Sequence, residues 1–275
     1  MNVTPKERQI QVLKALVEEN SIRSIERMTG IHRDTVMRLL VRVGNYCQQI
    51  MDNKIKEFHS NRIQVDEIWT FIEKKEKRLI REERFNHNLG DQYVFVALDA
   101  DTKLVPIFVV GKRTLETTFK FIFGLESKLK GNGRIQLTSD GFKTYIETIE
   151  QAFGGDIDFA QLIKMFATEH DSGKYSPPKV TEVLSRVING NPNPKHISTS
   201  YVERQNLTMR MQIRRFPRLT NGFSKKIENL KAALALHFSH YNFMRIHNTL
   251  RVTPAMEAEI TDHVWEWGEL LSVAG

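Results

Sequence analysis

The chain has 275 residues, a formal net charge of +7 and an isoelectric point near 9.4. That length suits one medium-sized domain with a small one, and an apolar fraction of 40% is enough for a packed core, so a disordered chain is excluded. The single cysteine, Cys47, excludes an intrachain disulfide and a cysteine zinc site, and the sequence shows neither a signal peptide nor a membrane span, so we expect a soluble cytoplasmic protein.

The first 58 residues predict a small helical domain. Apolar spacing indicates a first helix that starts near residue 5, a second at 21–28, a glycine turn at 29–31 and a third at 32–43 that continues as helix to 58. A short helix, a glycine turn and a basic helix are typical of a helix-turn-helix, whose last helix enters the major groove of DNA. Arg33, Thr35 and Arg38 lie on the outward face of that helix. A plain three-helix bundle is the alternative.

From residue 63 the hydrophobic period becomes that of strands. We predict strands at 63–72, 93–99, 104–110 and 134–138, and helices at 114–130 and 142–153. Residues 159–167 are ambiguous between strand and helix, and residues 171–199 have the composition of a loop. The pattern therefore predicts an α/β domain from 59 to 260, with an insertion near 156–199 and an acidic tail at 261–275.

Two acidic residues occupy strand positions. Asp66 lies in a strand that is apolar on both faces, where an unpaired carboxylate is expensive to bury and a metal ion would compensate it. Its neighbour Glu67 points to the opposite face and is the less favoured ligand. Asp140 ends another apolar run, at the end of a strand where ligands of α/β sheets collect. The alternatives are a solvent-exposed strand end for Asp66 and an ordinary Asp-Gly turn for Asp140.

A third acid, Glu203, opens a basic helix. It also completes the pattern Ser200-x-x-Glu203, so a capping box at the helix start is the alternative. Two strand carboxylates and one on a neighbouring helix can hold two divalent cations, which can activate water or a hydroxyl to attack a phosphodiester. In so basic a chain, the phosphodiester most simply belongs to a nucleic acid.

Positive charge is concentrated around and after Glu203. Residues 200–251 hold 10 Lys and Arg against 2 Asp and Glu. A charge run is usually a solvated face, but beside a phosphodiester site it favours a DNA track. The candidate DNA-binding residues in this run are Arg210, Arg214, Arg215, Arg218, Lys225 and Lys226. His237 and His240, on one helix, are more consistent with core packing or DNA contacts than with zinc.

The run Tyr201-Val202-Glu203-Arg204-Gln205-Asn206, followed by Arg214-Arg215-Phe216 and by His240-Tyr241-Asn242-Phe243, resembles the DDE-type transposases of bacterial insertion sequences. The closest resemblance is to the group named after insertion sequence one, and it covers about residues 60–260. It implies a ribonuclease H-like catalytic domain in which Asp66, Asp140 and Glu203 bind two Mg²⁺ ions, with Mn²⁺ as a substitute.

The resemblance also implies partners and a location. Such a protein cuts and joins double-stranded DNA at the terminal repeats of its element and at a target, acts as a homo-oligomer, and is found with the bacterial nucleoid, without a membrane. The interval between Asp140 and Glu203 is longer than in many members, which leaves Glu169 and Glu182 as alternative third acids. An inactive DNA-binding regulator, or a nuclease that cuts without joining, is the alternative function.

Overall fold

The computed structural model describes residues 4–129, 133–166, 180–216 and 221–273. Within these ranges the helices are α1 (Lys6–Val17), α2 (Ile22–Thr29), α3 (Arg33–Lys54), α4 (Leu115–Glu126), α5 (Thr144–Phe153), α6 (Ser200–Gln212), α7 (Ile227–Ser239), α8 (Pro254–Glu257) and α9 (Trp267–Val273). The strands are β1 (Arg62–Ile72), β2 (Gly90–Asp99), β3 (Phe108–Gly111), β4 (Ile135–Ser139), β5 (Ile157–Phe166) and β6 (Val180–Asn189). None of these helices is long and apolar enough to cross a bilayer.

The N-terminal region is helical, as predicted. Gly30 ends α2 in the left-handed conformation, with φ of 69°, which glycine adopts without strain. The third helix continues past residue 43 as predicted, since α3 is one helix of 22 residues, but it ends at Lys54 rather than at 58. Gly44 lies inside it, where α3 packs against α7, and a Cβ there would come within 2.5 Å of the Ala232 Cα. The glycine therefore allows the two helix backbones to approach closely.

The sheet is mixed, with strand order β3-β2-β1-β4-β5-β6. β1 pairs antiparallel with β2 and parallel with β4, and β4 pairs parallel with β5. The chain order of three strands, a helix, a strand and a helix matches the sequence prediction. The predicted fold class, a mixed α/β sheet flanked by helices and preceded by a helical region, is confirmed.

Two parts of the sheet differ from the prediction. β3 starts at Phe108 rather than at 104, because the backbone of Val105 exchanges hydrogen bonds with the side chain of Asn242, at 3.0 and 2.9 Å, instead of joining the ladder. The ambiguous segment after 157 is a strand. The loop predicted at 171–199 is wrong at residues 180–189, because they form β6, which pairs with β5; residues 190–199 do connect β6 to α6 as a loop with one short 3-10 turn. Residues 171–179 lie outside the described ranges.

A continuous apolar core runs from the N-terminal helices to the sheet and to the C-terminal segment. Leu13, Ile25 and Leu40 belong to the same cluster as the β1 residue Val65. Leu270 of α9 is also buried in it, so residues 267–273 pack on the protein. The division into parts at 1–58, 59–260 and 261–275 stays a prediction.

Candidate active site

The pairing register of β1 with β4 brings two acids together. Arg62 lies beside Gln136 and Gln64 beside Thr138, so each β1 residue pairs with the β4 residue 74 positions later. The same offset separates Asp66 from Asp140, which directly follows the last residue of β4. The parallel pairing therefore places the two carboxylates abreast, at the carboxyl end of β4.

A third carboxylate joins them. One oxygen each from Asp66, Glu67 and Asp140 lie within 4.8 Å of one another, and in the part of the chain that the structure describes this is the one cluster of its kind. Carboxylate oxygens are the ligands that Mg²⁺ and Mn²⁺ prefer. The cluster can bind a metal ion.

Glu67, the less favoured ligand in the sequence, has a buried side chain that belongs to this cluster. Its side chain is 2% exposed, and its Oε1 accepts a hydrogen bond of 2.6 Å from Arg113 Nε. Tyr145 donates to its Oε2 at 3.1 Å, from the face opposite Asp66. Arg113 also lies 3.7 Å from Asp140 Oδ2 and stacks 4.0 Å above the ring of Phe142. One guanidinium therefore holds both Glu67 and Asp140.

The pKa values of the three carboxyl groups in this cluster are raised above their ordinary values. Burial, followed by the charges of Glu67 and Asp140, raises the pKa of Asp66 to about 7. Burial and the charge of Asp140 raise the pKa of Glu67 to about 7, despite the opposing effect of Arg113. Burial likewise raises the pKa of Asp140. Like charges gathered in a partly dry site favour either a proton or a metal ion between them.

Two side chains of β1 fix α6 on the sheet. Gln64 and Asp66 lie on the same face, two residues apart. Gln64 Oε1 accepts hydrogen bonds from the backbone N–H groups of Tyr201 and Val202, at 2.9 and 3.1 Å, and so caps the start of the helix. One turn later, Asn206 Nδ2 donates to Asp66 Oδ2 at 2.8 Å. These contacts set where the first turn of α6 lies relative to the acidic cluster.

Glu203 lies in that first turn, near the cluster but outside it. Its charge contributes to raising the pKa of Asp66 and of Asp140. Its Oε1 accepts a hydrogen bond of 2.6 Å from Thr199 and forms an ion pair with Lys164 of β5. The helix starts at Ser200 as predicted, but its N-cap residue is Thr199, whose side chain makes no capping hydrogen bond, so the predicted capping box is not formed.

The alternative third acids fall elsewhere. Glu182 is exposed on β6, and Glu169 lies outside the described residues. Asp140 does form the turn expected of Asp-Gly, because its Oδ1 accepts the N–H of Phe142 at 3.0 Å. That turn and a place in the cluster are compatible, since the second oxygen faces Arg113.

Five of the nine candidate DNA-binding residues, from α3 and from the segment after α6, line one groove. A cavity of about 1030 Å³ lies between the N-terminal helices and the segments that flank α7's start. Its basic lining consists of Arg23, Arg33, Arg214, Arg215, Lys225 and Lys226. A second cavity of about 700 Å³ shares Lys226 with it and adds Arg38. Basic side chains of α3 therefore face basic side chains that follow α6.

The arginines of this groove differ in their surroundings. Arg214 is 3.4 Å from Glu19, whereas Arg215 donates to the neutral Ser224 Oγ at 2.9 Å. Burial lowers the pKa of Arg215 to about 10. Thr35 faces a separate small cavity beside Arg38. Arg210 lies on α6, partly buried, and Arg218 is outside the described residues.

The histidine pair supports core packing rather than zinc. His237 lines the floor of the groove and is buried, and neither ring nitrogen has a hydrogen-bond partner among the described residues. Burial lowers its pKa to about 3, so the ring is neutral. His240 stacks on Trp267 at a ring-centroid distance of 5.5 Å.

Sequence reasoning missed several side chains that organise the site. Arg113 lies in the loop between β3 and α4, and Tyr145, Gln64 and Lys164 lie on α5, β1 and β5, so only the fold brings them to the acids. Gln64 alone had a signal in the sequence, as a polar residue on the same strand face as Asp66.

No protein-family model and no curated protein matches the chain. Among solved structures, it is similar to the Mos1 Strand Transfer Complex, with 15% identity over 57% of this chain and 59% of that chain, at a TM-score of 0.24. It is also similar to a piggyBac transposase synaptic complex with hairpin DNA, with 10% identity over 98% of this chain and 69% of that chain, at a TM-score of 0.41. The chain thus spans about three fifths of the Mos1 chain. Both TM-scores are below 0.5.

Proposed function

We propose that the protein is a DDE-type transposase, with a ribonuclease H-like catalytic domain that cuts and joins DNA strands at the ends of an insertion sequence. The observation that carries the proposal is the β1–β4 register, which puts Asp66 beside Asp140 at the end of a central strand. The basic groove between α3 and the segment after α6 supports DNA as the substrate. The expected setting is the bacterial cytoplasm, at the nucleoid.

The donor set fits divalent cations. Oxygens of Asp66, Asp140 and Glu67 lie together, and Arg113 pairs with Glu67 and Asp140. The side-chain partner of Asp66 is instead the neutral amide of Asn206. Two Mg²⁺ ions, or Mn²⁺, held by Asp66, Asp140 and Glu203 would supply the positive charge and Lewis acidity for attack of water or a 3′-hydroxyl on a phosphodiester.

The surrounding residues have separate tasks. Asn206 orients the Asp66 carboxylate, and Arg113 pairs with both Glu67 of β1 and Asp140 after β4. Lys164 and Thr199 hold Glu203 in the first turn of α6, near the cluster. These contacts orient the ligands before substrate arrives, which lowers the reorganisation needed at the reaction.

The N-terminal helices would supply sequence recognition. In this proposal α2 and α3 form a helix-turn-helix, in which Arg33, Thr35 and Arg38 contact DNA at the terminal repeats. Arg214 and Arg215 would hold backbone phosphates in the same groove, so base recognition and phosphate binding are adjacent. The protein would act as a homo-oligomer on two DNA ends.

The decisive experiment is a strand-transfer assay. Labelled duplexes that carry the ends of the element are incubated with the full chain, Mg²⁺ and a target plasmid, and products are resolved by size. Cleaved ends joined to the plasmid support the transposase. Cleavage without joining would instead identify a nuclease, and binding without cleavage in Mg²⁺ or Mn²⁺ would identify a DNA-binding regulator.

A further inference from the structure

The last strand of the sheet has an open edge. β6 pairs with β5 on one side, and no other strand of the described chain lies along its second side. A ten-residue edge strand presents backbone N–H and C=O groups that can pair with a further strand. Proteins that stay monomeric commonly block such an edge with lysine, proline or a covering loop.

The side chains of β6 do not block it. Val180, Val183, Leu184 and Val187 are between 42% and 55% exposed. Because successive side chains of a strand point to opposite faces, each face of β6 exposes some apolar side chains to solvent. β6 carries one acid and one base, Glu182 and Arg186, so its net charge is zero and it is a poor surface for phosphates.

The two charges are arranged symmetrically. Glu182, Leu184 and Arg186 share one face, since their partners in β5 are Met165, Ile163 and Gln161. If a second β6 ran antiparallel to the first with Leu184 at the centre, Glu182 of each copy would face Arg186 of the other. Opposite charges directly across a strand pair are favourable, and like charges are unfavourable. On the other face, Val183 would lie opposite Ser185, and Val187 opposite Thr181.

We propose that β6 is a docking surface for a second copy of this chain, through antiparallel two-fold pairing of β6 with β6 centred on Leu184. The contact would join two six-stranded sheets into one continuous sheet and cover the exposed valines of both strands. A two-fold interface requires a surface that is complementary to itself, and the Glu182–Leu184–Arg186 pattern has that property. The proposal involves neither metal nor DNA and does not depend on the proposed chemistry.

A charge exchange tests the register. Glu182→Arg, or Arg186→Glu, places like charges opposite each other twice, and the double variant Glu182→Arg/Arg186→Glu restores opposite charges with reversed sign. Light scattering after size exclusion, without DNA or metal, measures the mass at several concentrations. We expect a wild-type dimer, single variants that dissociate about tenfold more readily or more, and a double variant that dimerises again. Glu126→Arg, the same charge change on an exposed residue of α4, is the matched control and should leave the dimer intact.

A cysteine pair tests the centre of symmetry independently of charge. Leu184→Cys would place two thiols opposite each other, so mild oxidation should give a covalent dimer. The matched variant Thr181→Cys would place its two thiols about 20 Å apart, at roughly 3.4 Å per strand residue, and should stay unlinked. The native Cys47 is buried and does not compete. A monomeric wild type, single charge variants as dimeric as wild type, a double variant that stays monomeric while folded, or equal cross-linking at both positions would overturn the proposal.

Discussion

Removing the charge of Asp66 should stabilise the metal-free protein at alkaline pH. The folded-state pKa of Asp66 is raised from 3.8 to about 7, chiefly by burial and then by Glu67 and Asp140. As pH rises, Asp66 therefore loses its proton in the unfolded chain before it does so in the folded protein. The free energy of unfolding falls as pH rises from about 4 to about 7, the interval between the two pKa values. One pKa unit corresponds to about 1.4 kcal/mol, so the native-state penalty reaches about 4 kcal/mol above that interval.

We expect Asp66→Asn to raise the free energy of unfolding by about 2 to 3 kcal/mol near pH 8 in EDTA. This is less than the full penalty of about 4 kcal/mol, because Asp66 and Glu67 titrate as a coupled pair and can share one proton. The amide can still accept the hydrogen bond from Asn206. Below about pH 4, where the carboxyl group is protonated in both states, the two proteins should be equally stable. Urea unfolding followed by tryptophan fluorescence at both pH values measures the difference.

Mg²⁺ or Mn²⁺ should reverse the order at alkaline pH. A cation at 1,000 times its dissociation constant stabilises the protein that binds it by about 4.1 kcal/mol, which exceeds the advantage of Asp66→Asn in EDTA, and Asp66→Asn should lose that gain. Asp156→Asn, which removes an equal charge from an exposed position, is the control and should behave as wild type. The electrostatic account is refuted if Asp66→Asn is less stable than wild type in EDTA near pH 8, or if the difference does not vary with pH.

Three further predictions concern the third acid, the groove and the helix contact. Glu203→Gln should abolish plasmid nicking in Mg²⁺, whereas Glu182→Gln should retain it; the opposite result would move the third ligand to β6. Arg33→Ala should lower the preference for element ends over random duplex. Arg214→Ala should weaken binding to both duplexes and reduce the slope of log affinity against log salt by about one unit for each phosphate that the variant no longer neutralises. Binding titrations across a salt series measure both effects. Equal effects of both variants on preference would contradict this assignment. Gly44→Ala should lower the free energy of unfolding by about 1 to 3 kcal/mol, because the methyl group meets the backbone of α7, and a urea midpoint equal to that of wild type would count against that close approach.

The sequence predicted those site residues that stand out from their immediate neighbours in the chain. β1 is mostly apolar on both faces, so its two acids Asp66 and Glu67 were conspicuous, and Asp140 followed the end of another apolar run. Glu203 was found by its resemblance to a transposase motif, and the helix start at Ser200 agrees with it. What the sequence did not contain was the register, since only the β1–β4 pairing makes the offset of 74 residues meaningful.

The elements that escaped prediction depend on distant partners. Arg113 contacts Glu67, which is 46 positions away in the chain, and Gln64 caps a helix 137 positions away. Neither contact produces a local sequence pattern from which it could be predicted. β6 escaped because its exposed apolar residues do not alternate with polar ones, and alternation is what marks a half-buried strand. β3 began later than predicted because Asn242 takes the backbone bonds of Val105.

The most direct test of the central claim is strand cleavage by Asp140→Asn. Amide for carboxylate keeps the shape of the side chain and the N–H bond from Phe142, so the variant should fold and bind element ends as wild type does. With labelled ends and Mg²⁺ or Mn²⁺, the account predicts cleavage and joining by wild type and neither by Asp140→Asn. Wild-type turnover by a folded Asp140→Asn protein would show that the Asp66–Asp140 pair does not hold the catalytic metals.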